Sequence, residues 1–298
     1  MGKDGISTEI SFKTMKRYSK ITPQGSRDYL FEECDDRRKV EHELSVLFKE
    51  NNYRKVITPA IEYFDVFKSD NVGIESEMMF KMSDSKGRTT VLRPDNTMPI
   101  ARMVATRLHN EELPVRLYYS QPVFVRAKDL AGRPSEIAQS GVELIGDGSF
   151  DADIEIVKMA VESLKRSNLN SFKLEIGNAA FFNVVLGKMD IPQSVRADVV
   201  NYIESKNYAA LGDLLDKIGD TAETRVIRKL PRLFGDAYVI DEAKKLYSDS
   251  AFQQALLYLQ TVYNKLCDEG LKDYIILDLG LVNRSNYYTG IIFHGYAE

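Results

Sequence analysis

The sequence predicts an α+β fold: an antiparallel sheet flanked by helices and interrupted by a helical insertion. Three observations carry this. Two pairs of strand-like runs face each other across polar turns, the pattern of antiparallel hairpins. Residues from about 178 to 270 are almost wholly helical by period, with Gly and Pro as punctuation. After that block "DYIILDLGLV" resumes strand character, so the helices lie between elements of the sheet.

Taken in order, the polar leader "MGKDGISTEISFKTMKRYSK", residues 1–20, lacks an apolar signal core and reads as a loose, flexible extension. "ITPQGSRDYL" is a Pro-Gly turn that runs into a helix, with Val40, Leu44, Leu47 and Phe48 at helical spacing on one stripe. "KVITPAIEYFDVF" is a β-branched run broken by Pro59, which fits a strand that ends or sits at an edge. "MFKMSDSKGRTTVLRPDNT" reads as a hairpin around Asp84-Ser85-Lys86-Gly87, and a helix follows from Met98 to about Leu108.

"VRLYYSQPVFV" and "EIAQSGVELIG" form the second hairpin, joined by the polar loop "RAKDLAGRPS". In its returning strand Gln139, Gly141 and Glu143 project from one face. "DADIEIVKMAVESLKRSN" is an amphipathic helix with Val157, Ala160, Val161 and Leu164 on one face, acidic at its start and basic at its end. "FKLEIG" is a strand. The expected division is therefore a leader over 1–20, a sheet core over 21–177 and 271–298, and a helical insertion over 178–270.

With 298 residues, 44% hydrophobic and 28% charged, the chain is ordinary for a globular protein. Its net charge of −4 argues against a whole-protein nucleic-acid binder, whose footprint is basic. No run of about 18 apolar residues is present, so no membrane span is expected. Cys34 and Cys267 make neither a metal spacing nor a disulfide framework, which fits a reducing cytoplasm. Three scattered histidines, His42, His109 and His294, argue against a zinc site. No P-loop, dinucleotide fingerprint or nucleophile elbow occurs.

Three polar clusters remain, each at a strand or its end: Asp95 and Thr97 in "LRPDNT", Gln139 with Glu143, and Tyr287 with Tyr288. Together they offer acceptors for an ammonium, partners for an imidazole and an aromatic wall with polar tips, a set suited to a small cationic or zwitterionic ligand. Each also has a plainer reading. Asp95 can cap the following helix, Gln139 and Glu143 can face solvent from a half-exposed sheet, and the tyrosines can be packing.

"TPQGSRDYL", "LRPDNT", "GRPSEIAQSGVELIG" and "DLGLVNRSNYYTGIIF", in this order, resemble the catalytic-domain segments of the histidyl-tRNA synthetase family, over residues 21–296. The resemblance implies the class II aminoacyl-tRNA synthetase fold, dimerising through the early helix and strand. It also implies a histidine pocket. The family's "RPEGT" acid and threonine match Asp95 and Thr97, with Glu shortened to Asp and Asn96 in place of Gly; its strand Gln and Glu match Gln139 and Glu143; its paired tyrosines match Tyr287 and Tyr288.

The synthetase chemistry is not carried over. Adenylate formation develops negative charge on the α-phosphate and needs fixed cations there. Where the family has "FRHE" this chain reads "FVRA", with Val125 at the arginine and Ala127 at the glutamate. Where it has "RGLDYYTG", Asn283 replaces the arginine and Asn286 the acid, while Arg126 and Arg284 each sit one position off. One such loss typically costs on the order of 100- to 1000-fold. The chain ends at "FHGYAE", where the Gly-rich motif 3 and an anticodon-binding domain are expected to follow.

The family also contains a catalytically silent kind, the regulatory subunit of ATP phosphoribosyltransferase, and the residues favour it. That implies no catalysis and no cofactor of its own, a cytoplasmic homodimer inside a hetero-oligomer with the short-form catalytic subunit, histidine as feedback ligand, and neither tRNA nor membrane as partner. A synthetase catalytic-domain fragment, and a paralogue that binds another amino acid or modifies another protein, stay open as alternatives.

Overall fold

The computed structural model describes residues 20–68, 74–126, 134–282 and 288–297. The expected leader lies outside them except for Lys20.

The Pro-Gly turn forms as read, with Ser26 N donating to Pro23 O at 3.0 Å and Gly25 at φ +80°. Helix α1 follows, Glu32–Glu50, acidic in its first turn and carrying Lys49 in its last, which matches the helix dipole. Of its apolar stripe only Leu47 and Phe48 are fully buried, and Val40 stays exposed. The broken run becomes two short strands, β1 Arg54–Lys55 and β2 Ile61–Tyr63, on either side of Pro59, which has no N–H for a ladder.

β3 Lys81–Ser83 and β4 Thr89–Leu92 make the first hairpin. Its turn is held by Asp84 Oδ1, which accepts from the backbone of Lys86 and Arg88, each at 2.9 Å. Helix α2, Thr97–Arg107, begins shortly after β4.

The second hairpin, β5 Val115–Phe124 and β6 Glu136–Ile145, is paired without a break from Val115 opposite Ile145 to Phe124 opposite Glu136. Its period of two sorts the residues onto two faces. Tyr118, opposite Val142, packs with Leu47, Phe48, Tyr53 and Met159, the last from helix α3, Phe150–Arg166. The other face puts Leu117 and Tyr119 against Ile100 of α2 and leaves Gln121, Gln139, Gly141 and Glu143 beyond that contact.

β7 Phe172–Asn178 is paired on one side with β10 Ile291–Ala297, antiparallel, and on the other with β9 Ile275–Asp278, parallel. Two-residue β8, Phe234–Gly235, closes the sheet order β10-β7-β9-β8. The helical block supplies α4 Ala179–Lys188, α5 Gln193–Glu204, α6 Tyr208–Ile218, α7 Ala222–Lys229, α8 Tyr238–Lys244 and α9 Ser250–Asp268. Its apolar side is continuous with the sheet: Leu174, Ile176 and Leu277 share one cluster with Phe181, Leu256 and Leu259.

The α+β class and flanking helices match the sequence reading. Two parallel pairings, β1 with β5 and β7 with β9, are additional. Parallel neighbours need a long crossover. The helical block between β7 and β9 is that connection. Among the described residues no helix is long and apolar enough to cross a membrane, and no group of three or more His, Cys, Asp or Glu could hold a metal ion.

Candidate functional site

The polar face of the β5–β6 hairpin meets the β4–α2 junction, and this is where the predicted clusters converge. Thr97, the first residue of α2, donates through Oγ1 to Glu143 Oε1 at 2.8 Å. Asp95 accepts from Met98 N at 3.1 Å, so the helix-capping reading holds geometrically. Its carboxyl is nonetheless pushed above the usual range by burial, with the backbone N–H groups of the helix start pulling the other way.

Burial also raises Glu143, to about 7; the Thr97 hydrogen bond opposes this and nearby Asp95 adds to it. Two carboxyls thus share a partly dry site. That arrangement favours a proton or a positively charged ligand between them. Burial and then the nearby charges of Glu143 and Asp95 raise the phenols of both Tyr119 and Tyr288, and Tyr288 also lines the cavity of Glu175, Lys206 and Asp278. Tyr119 is buried, while Tyr288 is 42% exposed at the rim. Tyr287, Ala127 and Asn283 lie outside the described residues.

Four residues that the sequence reading did not single out as functional join these groups from behind. Arg93 and Asn96 of the β4–α2 junction, Gln121 of β5 and Thr58 of the β1–β2 link are 3%, 0%, 7% and 3% exposed. Gln121 Nε2 donates to Asn96 Oδ1 at 3.1 Å, and Asn96 Nδ2 donates to Gln139 Oε1 at 2.7 Å. Arg93 anchors the set through Nη1 to Thr58 O at 2.7 Å and Nε to Pro122 O at 2.8 Å. One sequence signal pointed here: Gln121 is an amide in phase with Val115, Leu117, Tyr119 and Val123 on a buried face of the strand, directly opposite Gln139 in register.

Gly141 makes the arrangement possible. A Cβ there would stand 2.7 Å from Tyr119 Oη and 2.9 Å from its Cζ. Tyr119 therefore lies across the position opposite it in the ladder, closing the floor beside Glu143. Val125, just beyond β5, keeps its backbone in the hairpin by donating to Ser135 O at 2.9 Å. Arg126 is exposed, its N–H bound to Met78 O at 2.8 Å.

Comparisons with known proteins place the chain's family and fold. The histidyl-tRNA synthetase family model matches residues 25–298. An ATP phosphoribosyltransferase regulatory subunit from Clostridium novyi is 40% identical over 287 residues, covering 95% of this chain and 68% of that one. A crystal structure of an ATP phosphoribosyltransferase regulatory subunit/histidyl-tRNA synthetase from Bacillus halodurans superposes with a TM-score of 0.84 at 32% identity, over 93% of this chain and 72% of the other. An ATP phosphoribosyl transferase complex from Thermotoga maritima shares the fold at 19% identity and a TM-score of 0.64, over 91% of this chain and 89% of that one. The chain belongs to the histidyl-tRNA synthetase family, among the relatives named ATP phosphoribosyltransferase regulatory subunits.

Proposed function

We propose that the chain is a non-catalytic regulatory subunit of ATP phosphoribosyltransferase, a glycosyltransferase that opens histidine biosynthesis. In this reading it is needed for the activity of the short-form catalytic subunit and carries the histidine feedback. The observation that supports it most is an asymmetry. Most of the positions that match the family's amino-acid pocket by sequence keep its groups, at Thr97, Gln139, Glu143 and Tyr288 and, with Glu shortened to Asp, at Asp95, while Val125 and Asn283 occupy the positions of the two catalytic arginines. Tyr287 belongs to the same proposed set by sequence. A site that keeps its ligand groups and loses its phosphate cations binds without activating.

Histidine would enter with its ammonium toward Asp95 and Glu143, its carboxylate toward the amide of Gln139, and its ring against Tyr288. A cytoplasmic location and a role without tRNA belong to the same reading. Exposed apolar side chains near the start of the described chain, Phe31, Ile57 and Ile61 among them, support self-association through the early helix and strand.

Co-expression with the short catalytic subunit of the same genome, followed by size-exclusion chromatography, tests the assignment. The expected result is a stable hetero-oligomer. Absence of a complex, or robust histidine-dependent ATP–pyrophosphate exchange by this chain alone, contradicts it.

A further inference from the structure

Gln139 borders the pocket, and hydrogen bonds behind it decide which end of its amide a ligand meets. The two ends of an amide have nearly the same shape, so orientation has to be argued from partners that allow one role only. Two such partners exist. The Arg93 guanidinium and the Thr58 backbone N–H can only donate. Both reach one atom, Gln121 Oε1, at 3.3 and 3.1 Å. That atom is therefore the carbonyl oxygen, and Gln121 Nε2 is the amino end.

The consequence propagates. Gln121 Nε2 donates to Thr58 Oγ1 at 3.2 Å and to Asn96 Oδ1 at 3.1 Å. With its oxygen committed, Asn96 donates through Nδ2 to Gln139 Oε1 at 2.7 Å, and to the Gln121 backbone carbonyl at 3.4 Å. The oxygen of Gln139 is thereby engaged from behind, and its Nε2 is the end turned to a ligand. Thr58, Arg93, Asn96 and Gln121 are buried, with no water to substitute for a mismatched partner, so reversing one of their links reverses the next. At the half-buried Asn96–Gln139 contact two facing amide oxygens would repel and turn Gln139 as well.

We infer that Asn96 is a positioning residue that relays a polarity set by Arg93 and Thr58, so that Gln139 meets the ligand with an N–H donor. The pocket then carries acceptors at Asp95 and Glu143 and a donor at Gln139, and it selects a ligand bearing both an ammonium and a carboxylate. This rests on the reading of the pocket as an amino-acid site. It adds that selection for the carboxylate is set two side chains away from the ligand.

Gln121→Glu is the direct test, since residue 121 lies behind Asn96 and Gln139 rather than against the ligand. The introduced carboxylate accepts from Arg93 and Thr58 as before and gives the Arg93 cation a counter-charge. It cannot donate, so Asn96 must turn its amino end toward it. Gln139 then donates inward and shows its oxygen to the ligand. The Asn96 bond to the backbone carbonyl of residue 121 is given up, and the Thr58 hydroxyl, which accepts from Gln121 Nε2 in wild type, must turn to donate to the carboxylate.

Calorimetry with histidine and with histamine, which keeps the ammonium and ring but lacks the carboxylate, reads the change. We expect wild type to prefer histidine and Gln121→Glu to lose on the order of 10- to 100-fold in histidine affinity, with histamine unchanged or tighter. An unchanged histidine-to-histamine ratio in a cooperatively melting variant overturns the inference. Should Gln121→Glu fail to fold, Asn96→Asp removes the donor that engages the Gln139 oxygen and is read the same way.

Side-chain amide exchange in 15N-labelled protein judges the relay without any ligand. Asn96 protons slow and Gln139 protons fast is the expected wild-type pattern, and a fast-exchanging Asn96 amide overturns it. If wild type binds neither compound, the proposed function fails, while the amide pattern still decides the relay.

Discussion

Glu143 does its work through its environment. An unfolded glutamate ionises near 4.5 and the folded one near 7, so folding takes up a proton between those values. Its contribution to stability is complete below about pH 4.5 and is lost as pH rises to about 7. Glu143→Gln should therefore stabilise the empty protein at pH 8 by about 1–2 kcal/mol in urea unfolding, since an amide also accepts the Thr97 hydrogen bond at no ionic cost. An unchanged or lower midpoint contradicts this. The same residue links binding to pH. An ammonium beside Glu143 favours the carboxylate, so histidine binding near pH 6.5 should release protons, seen as a binding enthalpy that varies with the buffer's ionisation heat. A buffer-independent enthalpy argues against Glu143 as the ammonium's partner. At this scale the sequence was legible where a motif carried the residue, as with Asp95, Thr97, Gln139 and Glu143. Arg93, Asn96 and Gln121 were not, because their role depends on which donor faces which acceptor across strands.

At the level of elements, the β5–β6 hairpin is the part that the site cannot do without. Its alternation gives one face to α1 and α3 and the other to α2 and the pocket, so any residue that shifts its register would exchange the two. Gly141 is the narrowest point. Gly141→Ala forces Tyr119 off its present path, which should cost about 1–3 kcal/mol of stability and weaken ligand binding together. A variant with an unchanged urea midpoint would show that Tyr119 has room to move. Both hairpins were legible because turn residues and a period of two are local signals. The parallel pairing of β7 with β9 was not, since it joins strands separated by the whole helical block, and no local pattern specifies a partner that distant.

For the whole molecule, an assembly reading follows from surface and site together. Ile57 and Ile61 are 75% and 53% exposed, and they flank the Thr58 segment that holds the buried amide relay. Ile57→Glu should turn the proposed homodimer into a monomer by light scattering with its fold retained; an unaltered mass would place the interface elsewhere. Feedback needs histidine to bind one assembly state better than another, and that coupling is reciprocal. The most direct measurement is the initial rate of ATP phosphoribosyltransfer by the short catalytic subunit, with and without this chain, over rising histidine. The account predicts that the chain switches activity on, that histidine suppresses it, and that a complex carrying Glu143→Gln stays active but largely insensitive to histidine. A rate indifferent to the presence of this chain would contradict it.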